Sequence, residues 1–180
     1  MPAKKQISKE MILSASMELL MQDGMDAVNV KRIAKKLNCS TQPIYLSFEN
    51  MDALRSELSA KVIEKFVSDM NKDGTPDLFG MYYIRFAKKE KNLFRYIFMR
   101  ENAFEELRPV LDPMIEASTK RLMEEYSISK EDALYFHDQL WMQAHGIASM
   151  IATDYCNWNL EKVERMLAQC KADMGRRYEE

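Results

Sequence analysis

The sequence predicts an all-α protein of about nine helices, with a three-helix N-terminal part over residues 1–48 and a larger helical part over residues 49–180. Three observations lead to this prediction. Apolar residues recur every three to four positions along most of the chain, which is the period of an amphipathic helix. Five glycines and five prolines are too few for a loop-rich β fold. An apolar content of 47% is sufficient for a buried core.

Capping residues delimit the first three helices. Ser8 is the predicted N-cap of a helix that stops before Gly24, a residue that tolerates left-handed backbone. Asn29 is the predicted cap of a short second helix, and Ser40 or Thr41 that of a short third helix. Two short helices joined by a tight turn make this stretch a predicted helix-turn-helix.

A long fourth helix is predicted from Asn50 to about residue 71. Apolar residues repeat there every four positions, as expected for one buried face; they are Leu54, Leu58, Val62, Phe66 and Met70. The segment 72–76, Lys-Asp-Gly-Thr-Pro, breaks this pattern and is predicted to be an interhelical loop.

Two aromatic-rich helices are predicted next, over residues 77–89 and 92–101. Their composition also suits strands, but the flanking helices and the scarcity of turn residues favour helix. A further helix follows over residues 105–126. We expect it to be irregular or kinked near Pro109 and Pro113, because an internal proline removes a helical hydrogen bond.

The last two helices are predicted to form a dimer interface. Ser129 and Asp132 resemble a capping box that opens a helix to about Cys156. Its apolar residues form two stripes, namely Leu134, Trp141, His145, Ala148, Ala152 and Tyr155, and Phe136, Leu140, Ile147 and Ile151. The last helix, over residues 160–177, carries a seam of apolar residues at alternating steps of three and four, which are Leu160, Val163, Leu167, Cys170 and Met174. These patterns favour a homodimer, while closure of both faces within one protomer is the alternative.

Charge and cysteine usage restrict the partners and the compartment. Residues 1–48 contain seven lysines and arginines and four acidic residues, a net charge of +3, whereas residues 49–180 carry a net charge of −5. A basic first quarter is typical of a surface that binds phosphates, although chance variation is the alternative.

Three cysteines without CxxC spacing favour a reducing compartment. The sequence has no apolar signal core and no membrane-spanning run, so we expect a cytoplasmic protein without a membrane partner.

The sequence lacks the motifs of the common catalytic and metal sites. There is no GxSxG, HExxH or Gly-rich phosphate loop, and no Cys/His pairing at metal-binding spacing. His137 and His145 are eight residues apart, so a hydrogen-bonded core or pocket histidine is the favoured interpretation of each. Cys39 is either a small turn residue, which is favoured, or a redox-sensitive thiol. No catalytic residue, metal or cofactor is predicted.

The helix-turn-helix carries groups that suit double-stranded DNA. Thr41 and Gln42 lie at the end of the third helix that enters the major groove in this motif, and Gln pairs with adenine. Tyr45, one turn later, can reach the sugar-phosphate backbone. Asn29 and Lys31 lie at the N-terminus of the second helix, where free N–H groups favour a phosphate. The predicted DNA-binding residues are Asn29, Lys31, Ser40, Thr41, Gln42, Tyr45 and Ser47.

The same stretch resembles the DNA-binding domain of TetR-type transcriptional regulators over about residues 8–54. The resemblance rests on a first helix that ends in Asp-Gly and on a frame of five residues, Ser40, Tyr45, Phe48, Asn50 and Leu54. It implies an all-helical homodimer whose third helices bind a near-palindromic operator, and a C-terminal domain that holds a small-molecule inducer. The expected function is therefore a ligand-responsive regulator, most simply a repressor.

One residue departs from this family pattern. Met51 stands where these proteins usually place a lysine that contacts phosphate, and Lys9 or Lys31 can compensate. In the C-terminal part, residues 141–146 are similar to a W…HG signature in one class of TetR-type C-terminal domains.

An effector site is predicted among the aromatic residues of the C-terminal part. The residues are Tyr82, Tyr83, Phe86, Phe94, Phe98, Trp141, Met142 and His145. Such residues line apolar cavities with a few polar tips, so the expected effector is apolar or amphipathic. Each of them taken singly also suits a plain core. Arg85 and Arg95 lie within the aromatic segments. An arginine that is buried there would need an anionic partner, so an anionic ligand is the alternative.

Two other functions remain compatible with the sequence. One is a helical small-molecule-binding or scaffolding protein that has lost DNA binding, which the Met51 departure favours. The other is an enzyme with an unrecognised helical site around His145, although no acid, base or nucleophile lies at an interpretable spacing from it.

Overall fold

The computed structural model describes residues 6–73 and 79–178, and within these ranges the chain forms nine α-helices and no strand, as the sequence predicts. The helices are α1 (Lys9–Asp23), α2 (Val30–Leu37), α3 (Gln42–Ser47), α4 (Met51–Asp73), α5 (Phe79–Lys89), α6 (Lys91–Phe98), α7 (Ala103–Tyr126), α8 (Lys130–Ala152) and α9 (Leu160–Gly175). The chain divides into two compact units, one that ends at Lys72 and one that begins at Asp73. The long helix α4 therefore belongs to the N-terminal unit. Most of the predicted interhelical loop lies outside the described residues.

In the N-terminal unit, α1 begins and ends and α4 begins at the positions that the sequence predicts. The Ser8 hydroxyl accepts the N–H of Met11 at 3.2 Å and caps α1. Gly24 has φ 80° and ψ −176°, a backbone conformation that is essentially restricted to glycine. Its N–H donates to the Leu20 carbonyl at 3.0 Å and closes the helix. After α3, the Asn50 side chain accepts the N–H of Ala53 at 2.8 Å and caps α4.

Four helices contribute to the core of this unit. The most deeply buried side chains are Ile12, Leu20, Val28, Ile33, Ile44, Leu54, Leu58 and Val62. The predicted stripe of α4 is thus confirmed from Leu54 to Phe66, which is 4% exposed, while Met70 is half-buried. This core holds the short helix α3 in place.

The C-terminal unit is packed around α8. This helix contacts α5, α6, α7 and α9. Ser129 caps this helix at the predicted position, because its Oγ accepts the N–H of Asp132 at 3.1 Å. The same hydroxyl donates to the Asp132 carboxylate at 2.6 Å. Phe136, His137 and Ile147 are buried in this unit.

Helix α7 is continuous from Ala103 to Tyr126 and includes Pro109 and Pro113, so the two prolines do not interrupt its helical backbone. The two prolines are four residues apart and both are exposed, so they lie on the outer side of the helix. The carbonyls that are left without N–H partners belong to Glu105 and Pro109, which are exposed as well. Water can hydrogen bond these carbonyls, and the helix is preserved.

Helix α8 ends four residues before the predicted boundary. The chain leaves the helix after Ala152, and Asp154 takes a left-handed conformation with φ 57°. Tyr155, which the sequence assigned to an apolar stripe, lies beyond the helix and is 81% exposed. None of the helices in the part of the chain that the structure describes has the length and apolar content required to cross a bilayer.

Candidate nucleic-acid interface and aromatic cluster

Helix α2 is fixed by hydrogen bonds at both ends. Asn29 Oδ1 accepts the N–H of Arg32 at 3.1 Å, and Asn29 Nδ2 donates to the Asp26 carbonyl at 3.3 Å. Asn38 ends the helix in the left-handed conformation, with φ 51°. The Cys39 N–H then donates to the Ala34 carbonyl at 3.0 Å. The side-chain oxygen of the predicted DNA-binding residue Asn29 therefore caps α2, and its side-chain nitrogen binds the preceding turn, so its first contribution is to orient this helix.

Helix α3 separates into an inner and an outer side. Ile44 and Phe48 are 2% and 4% exposed and face the core. Gln42 and Tyr45 are exposed, and Tyr45 retains 62% of its surface. On a helical projection Gln42 lies opposite the buried pair, and Tyr45, three positions later, lies at the edge of the same exposed side. Two of the predicted DNA-binding side chains thus share one accessible surface.

The remaining predicted residues of this motif occupy different positions. Ser40 and Thr41 are exposed in the turn before α3. Thr41 occupies the N-cap position but makes no side-chain cap bond, because its backbone is helical (φ −74°, ψ −16°) rather than extended. Ser47 is half-buried on the inner side, and its hydroxyl donates to the Pro43 carbonyl at 2.9 Å. Ser47 is thereby oriented away from the surface that Gln42 and Tyr45 share.

Ion pairs with α1 divide the four cations of α2 into two classes. Arg32 pairs with Asp23, and Lys36 pairs with Glu18 at 2.7 Å. Within the described residues, Lys31 and Lys35 have no acidic partner, and both are exposed. Unpaired cations on the helix before α3 are available for phosphates, whereas Arg32 and Lys36 already have an acidic partner on α1. Lys35 was not among the predicted residues, although its spacing of four from Lys31 places both on one side of the helix.

Lys9 and Lys31 were the two predicted replacements for the phosphate-binding lysine that is absent at position 51, and they differ in their ion pairs. Met51 is half-buried at the start of α4. Lys9, one of the two predicted substitutes, pairs with Glu57 and lies 5.0 Å from the centre of the Phe48 ring. Lys31 is the substitute whose charge is not neutralised by a described neighbour.

A cluster of aromatic rings occupies the C-terminal unit. Tyr83 is in edge-to-face contact with Phe94 and Phe98, with ring centroids 4.9 and 4.8 Å apart. His145 lies 5.9 Å from the Tyr83 ring and 5.4 Å from the Trp141 ring. Five predicted effector residues, from α5, α6 and α8, therefore come together.

Other residues complete the description of this region. Tyr82 stacks on Phe86 with centroids 6.3 Å apart. Met142 is 51% exposed on the outer side of α8. Phe104 of α7, which was not among the predicted effector residues, lies 5.8 Å from the Trp141 ring and is 41% exposed. No local signal identified Phe104, because it lies 37 positions from Trp141 in the chain.

The aromatic cluster contains one polar pair. Tyr83 Oη and His145 Nδ1 are 2.7 Å apart. Burial raises the pKa of the Tyr83 phenol far above its usual range, so this group keeps its proton and donates it. Burial also lowers the pKa of the His145 imidazole below 6.5, which favours the neutral ring as acceptor.

Comparisons with known proteins agree on one family. The model for bacterial regulatory proteins of the tetR family matches residues 12–58. The model for the tetracyclin repressor-like C-terminal domain matches residues 78–174, more than half of the chain.

Two curated relatives are similar in sequence. An uncharacterized HTH-type transcriptional regulator of Haemophilus influenzae is 28% identical over 93 residues, which cover 52% of this chain and 48% of that protein. The chain thus matches about half of the length of this relative. The uncharacterized HTH-type transcriptional regulator YobS of Bacillus subtilis is 22% identical over 155 residues, covering 82% of this chain and 81% of that protein.

A solved structure shows the same fold. The crystal structure of a TetR-like transcriptional regulator from Rhodococcus sp. RHA1 matches with a TM-score of 0.58 and 17% identity, and the match covers 94% of this chain and 93% of that chain.

The buried histidines predict acid sensitivity of the fold. Burial lowers the pKa of both His137 and His145 below 6.5, so the unfolded chain binds more protons as pH falls through this value. The free energy of unfolding should therefore decrease as pH falls below about 6.5, by at most about 1.4 kcal/mol per pH unit for each histidine. Urea unfolding followed by circular dichroism measures this slope. Replacing His137 and His145 by glutamine should reduce the dependence of the unfolding free energy on pH. An unchanged dependence would show that carboxylates cause it.

Proposed function

This chain belongs to the TetR family of bacterial regulatory proteins, and from that premise we propose a repressor that binds a near-palindromic operator as a homodimer and is released by a small molecule. As a family member it is a transcriptional regulator and not an enzyme. The observation that supports DNA binding most directly is that Gln42 and Tyr45 are exposed on α3. The preceding helix α2 carries two lysines that have no acidic partner within the described residues. We place the DNA-reading part within residues 1–48, the effector and dimer functions in residues 49–180, and the protein in the cytoplasm.

In this proposal α3 enters the major groove. Gln42 hydrogen bonds to an adenine edge, and Tyr45 contacts the sugar-phosphate backbone. Lys31 and Lys35 bind phosphates of the flanking backbone, and Lys31 supplies the cation that Met51 does not. The α1 ion pairs of Arg32 and Lys36 hold α2 in register, so the four cations divide into two that contact DNA and two that support the motif.

The surface of α8 and α9 supports the homodimer. Of the predicted α9 seam, only Val163 is fully buried, whereas Leu160, Leu167, Cys170 and Met174 are half-buried. On α8, the predicted stripe Phe136, Leu140, Ile147 and Ile151 is largely buried within the protomer. In the other predicted stripe only Ala148 and Ala152 are buried, whereas Leu134 is exposed, and the outward side also carries Tyr135, Met142 and Gly146. The two helices border a groove of about 780 Å³. A second copy of the same surface would cover the exposed apolar groups by isologous helix packing.

The aromatic cluster supports a small-molecule effector. Tyr83 and Phe94 are buried, Phe98, Trp141 and His145 are half-buried, and the Tyr83–His145 pair places polar atoms among these rings. Such a lining suits an apolar or amphipathic molecule with one polar group. The effector acts by binding more tightly to a state in which the spacing of the two α3 helices no longer fits the half-sites.

The first test separates unpaired from neutralised lysines. Operator DNA is first selected from random duplexes, and affinity is then measured by fluorescence anisotropy at several salt concentrations. Lys31→Ala should weaken binding to all sequences and reduce the slope of log affinity against log salt by about 1. Lys36→Ala, the matched control, should change the slope less, because Glu18 already neutralises that charge. A chain that shows no salt-sensitive, sequence-selective binding would instead be a small-molecule-binding or scaffolding protein.

The second test addresses the dimer. Outside its own helix, no described heavy atom lies within 4 Å of the position that a Cβ on Gly146 would occupy. Gly146→Arg should therefore leave the protomer folded, with unchanged helical circular dichroism, but place a charge in the proposed interface. Light scattering at micromolar concentration should show a dimer for the parent chain and a monomer for the variant. A parent chain that is itself monomeric, or a dimer that tolerates the arginine, would refute this interface.

The third test concerns release by the effector. A set of amphipathic aromatic compounds is screened for release of the selected operator. Tyr83→Phe should leave operator affinity without compound unchanged and raise the concentration for half-release about 2- to 10-fold, as expected for the removal of one hydrogen bond. The control Tyr155→Phe, at a residue that is 81% exposed, should have no effect. Equal responses of the two variants would place the effector elsewhere.

A further inference from the structure

Helix α3 carries one large aliphatic side chain on its outer side. Leu46 is 80% exposed, whereas Ile44 and Phe48 of the same segment are 2% and 4% exposed. The core is therefore complete without Leu46. The sequence pattern did not point to this residue, because only the polar groups of α3 were expected to read DNA.

Leu46 shares the surface of the predicted base-reading residue. It follows Gln42 by four positions, so the two side chains lie side by side on the outer surface of α3. Tyr45, which is 62% exposed, adjoins them. The surface thus combines an amide, a phenol and a branched aliphatic group.

The charge of the neighbouring helix identifies the partner that this aliphatic group fits. Lys31 and Lys35 of α2 are exposed and have no acidic partner within the described residues, as expected for a surface complementary to phosphates. The major groove of DNA offers only one apolar group to such a surface, the C5-methyl of thymine. An exposed leucine on this helix has no comparable partner on a fully polar ligand.

We propose that Leu46 reads thymine in each operator half-site by packing against its C5-methyl group. This inference rests on the proposed DNA-binding function and makes it more specific. Residues 42 and 46 are separated by about 6 Å along the axis of α3. Successive base pairs of DNA are separated by about 3.4 Å along the duplex axis. The thymine therefore lies within about two base pairs of the base that Gln42 contacts.

The test removes the methyl group and nothing else. Each thymine of the selected operator is replaced in turn by deoxyuridine, and affinity for the full chain is measured at fixed salt. At one position per half-site, this replacement should weaken binding about fourfold, the effect of one buried methyl group, and about 15-fold when made in both half-sites.

A double-mutant cycle assigns this effect to Leu46. Leu46→Ala should bind the thymine operator more weakly than the parent chain and should not distinguish thymine from uracil at that position. Because Leu46 is 80% exposed, the variant should keep its circular dichroism and thermal midpoint. Tyr155→Phe is the control, at a residue of the C-terminal unit that is 81% exposed, and it should retain the full difference between thymine and uracil.

The outcomes separate this inference from the proposed function. Salt-sensitive, sequence-selective binding that is indifferent to every uracil replacement overturns the role of Leu46 and leaves the regulator intact. A selected half-site without thymine, or a Leu46→Ala variant that still discriminates uracil, has the same consequence. Absence of selective DNA binding overturns both.

Discussion

A helix of six residues has no stability of its own, so α3 depends on the burial of its inner side in the N-terminal core. Ile44 and Phe48 provide this burial, and α1 packs against both α2 and α3. The same anchoring leaves the opposite side of α3 in solvent, with Gln42, Tyr45 and Leu46 exposed. One packing constraint thus fixes which residues of the motif are able to reach a ligand.

The electrostatics of the N-terminal unit follow from the same arrangement. Because α1 lies against α2, Asp23 and Glu18 neutralise Arg32 and Lys36 and leave Lys31 and Lys35 unpaired. Exposed ion pairs of this kind contribute little to stability. Their larger effect is on the distribution of charge, since among the four cations of α2 they leave only Lys31 and Lys35 without an acidic partner in the part of the chain that the structure describes.

The C-terminal unit follows a different principle. Its central helix α8 is in contact with four other helices, so residues that are distant in sequence meet on it. Tyr83 and His145 are 62 positions apart but form a hydrogen bond of 2.7 Å within the aromatic cluster. Burial favours the neutral form of both groups, so this pair places polar groups in an apolar surrounding without adding a charge.

The sequence by itself determined the elements whose causes are local. The caps at Ser8, Asn29 and Asn50, the glycine stop at Gly24 and the buried stripe of α4 each depend on residues within about four positions of one another. Interactions over such distances follow from helical geometry and need no knowledge of the fold. The all-α class, the nine helices and the helix-turn-helix were predictable for this reason.

Only the tertiary structure decided which side of each helix is covered. Only one of the two stripes of α8, the one with Phe136, Ile147 and Ile151, is buried within the protomer. Helix α7 continues through Pro109 and Pro113, which lie on its exposed side, and Leu46 is exposed. Likewise, the sequence places four cations on α2, but the fold determined which two are neutralised by α1. The physical reason is that burial and ion pairing depend on packing partners from other helices, and helical periodicity specifies a face without specifying what covers it.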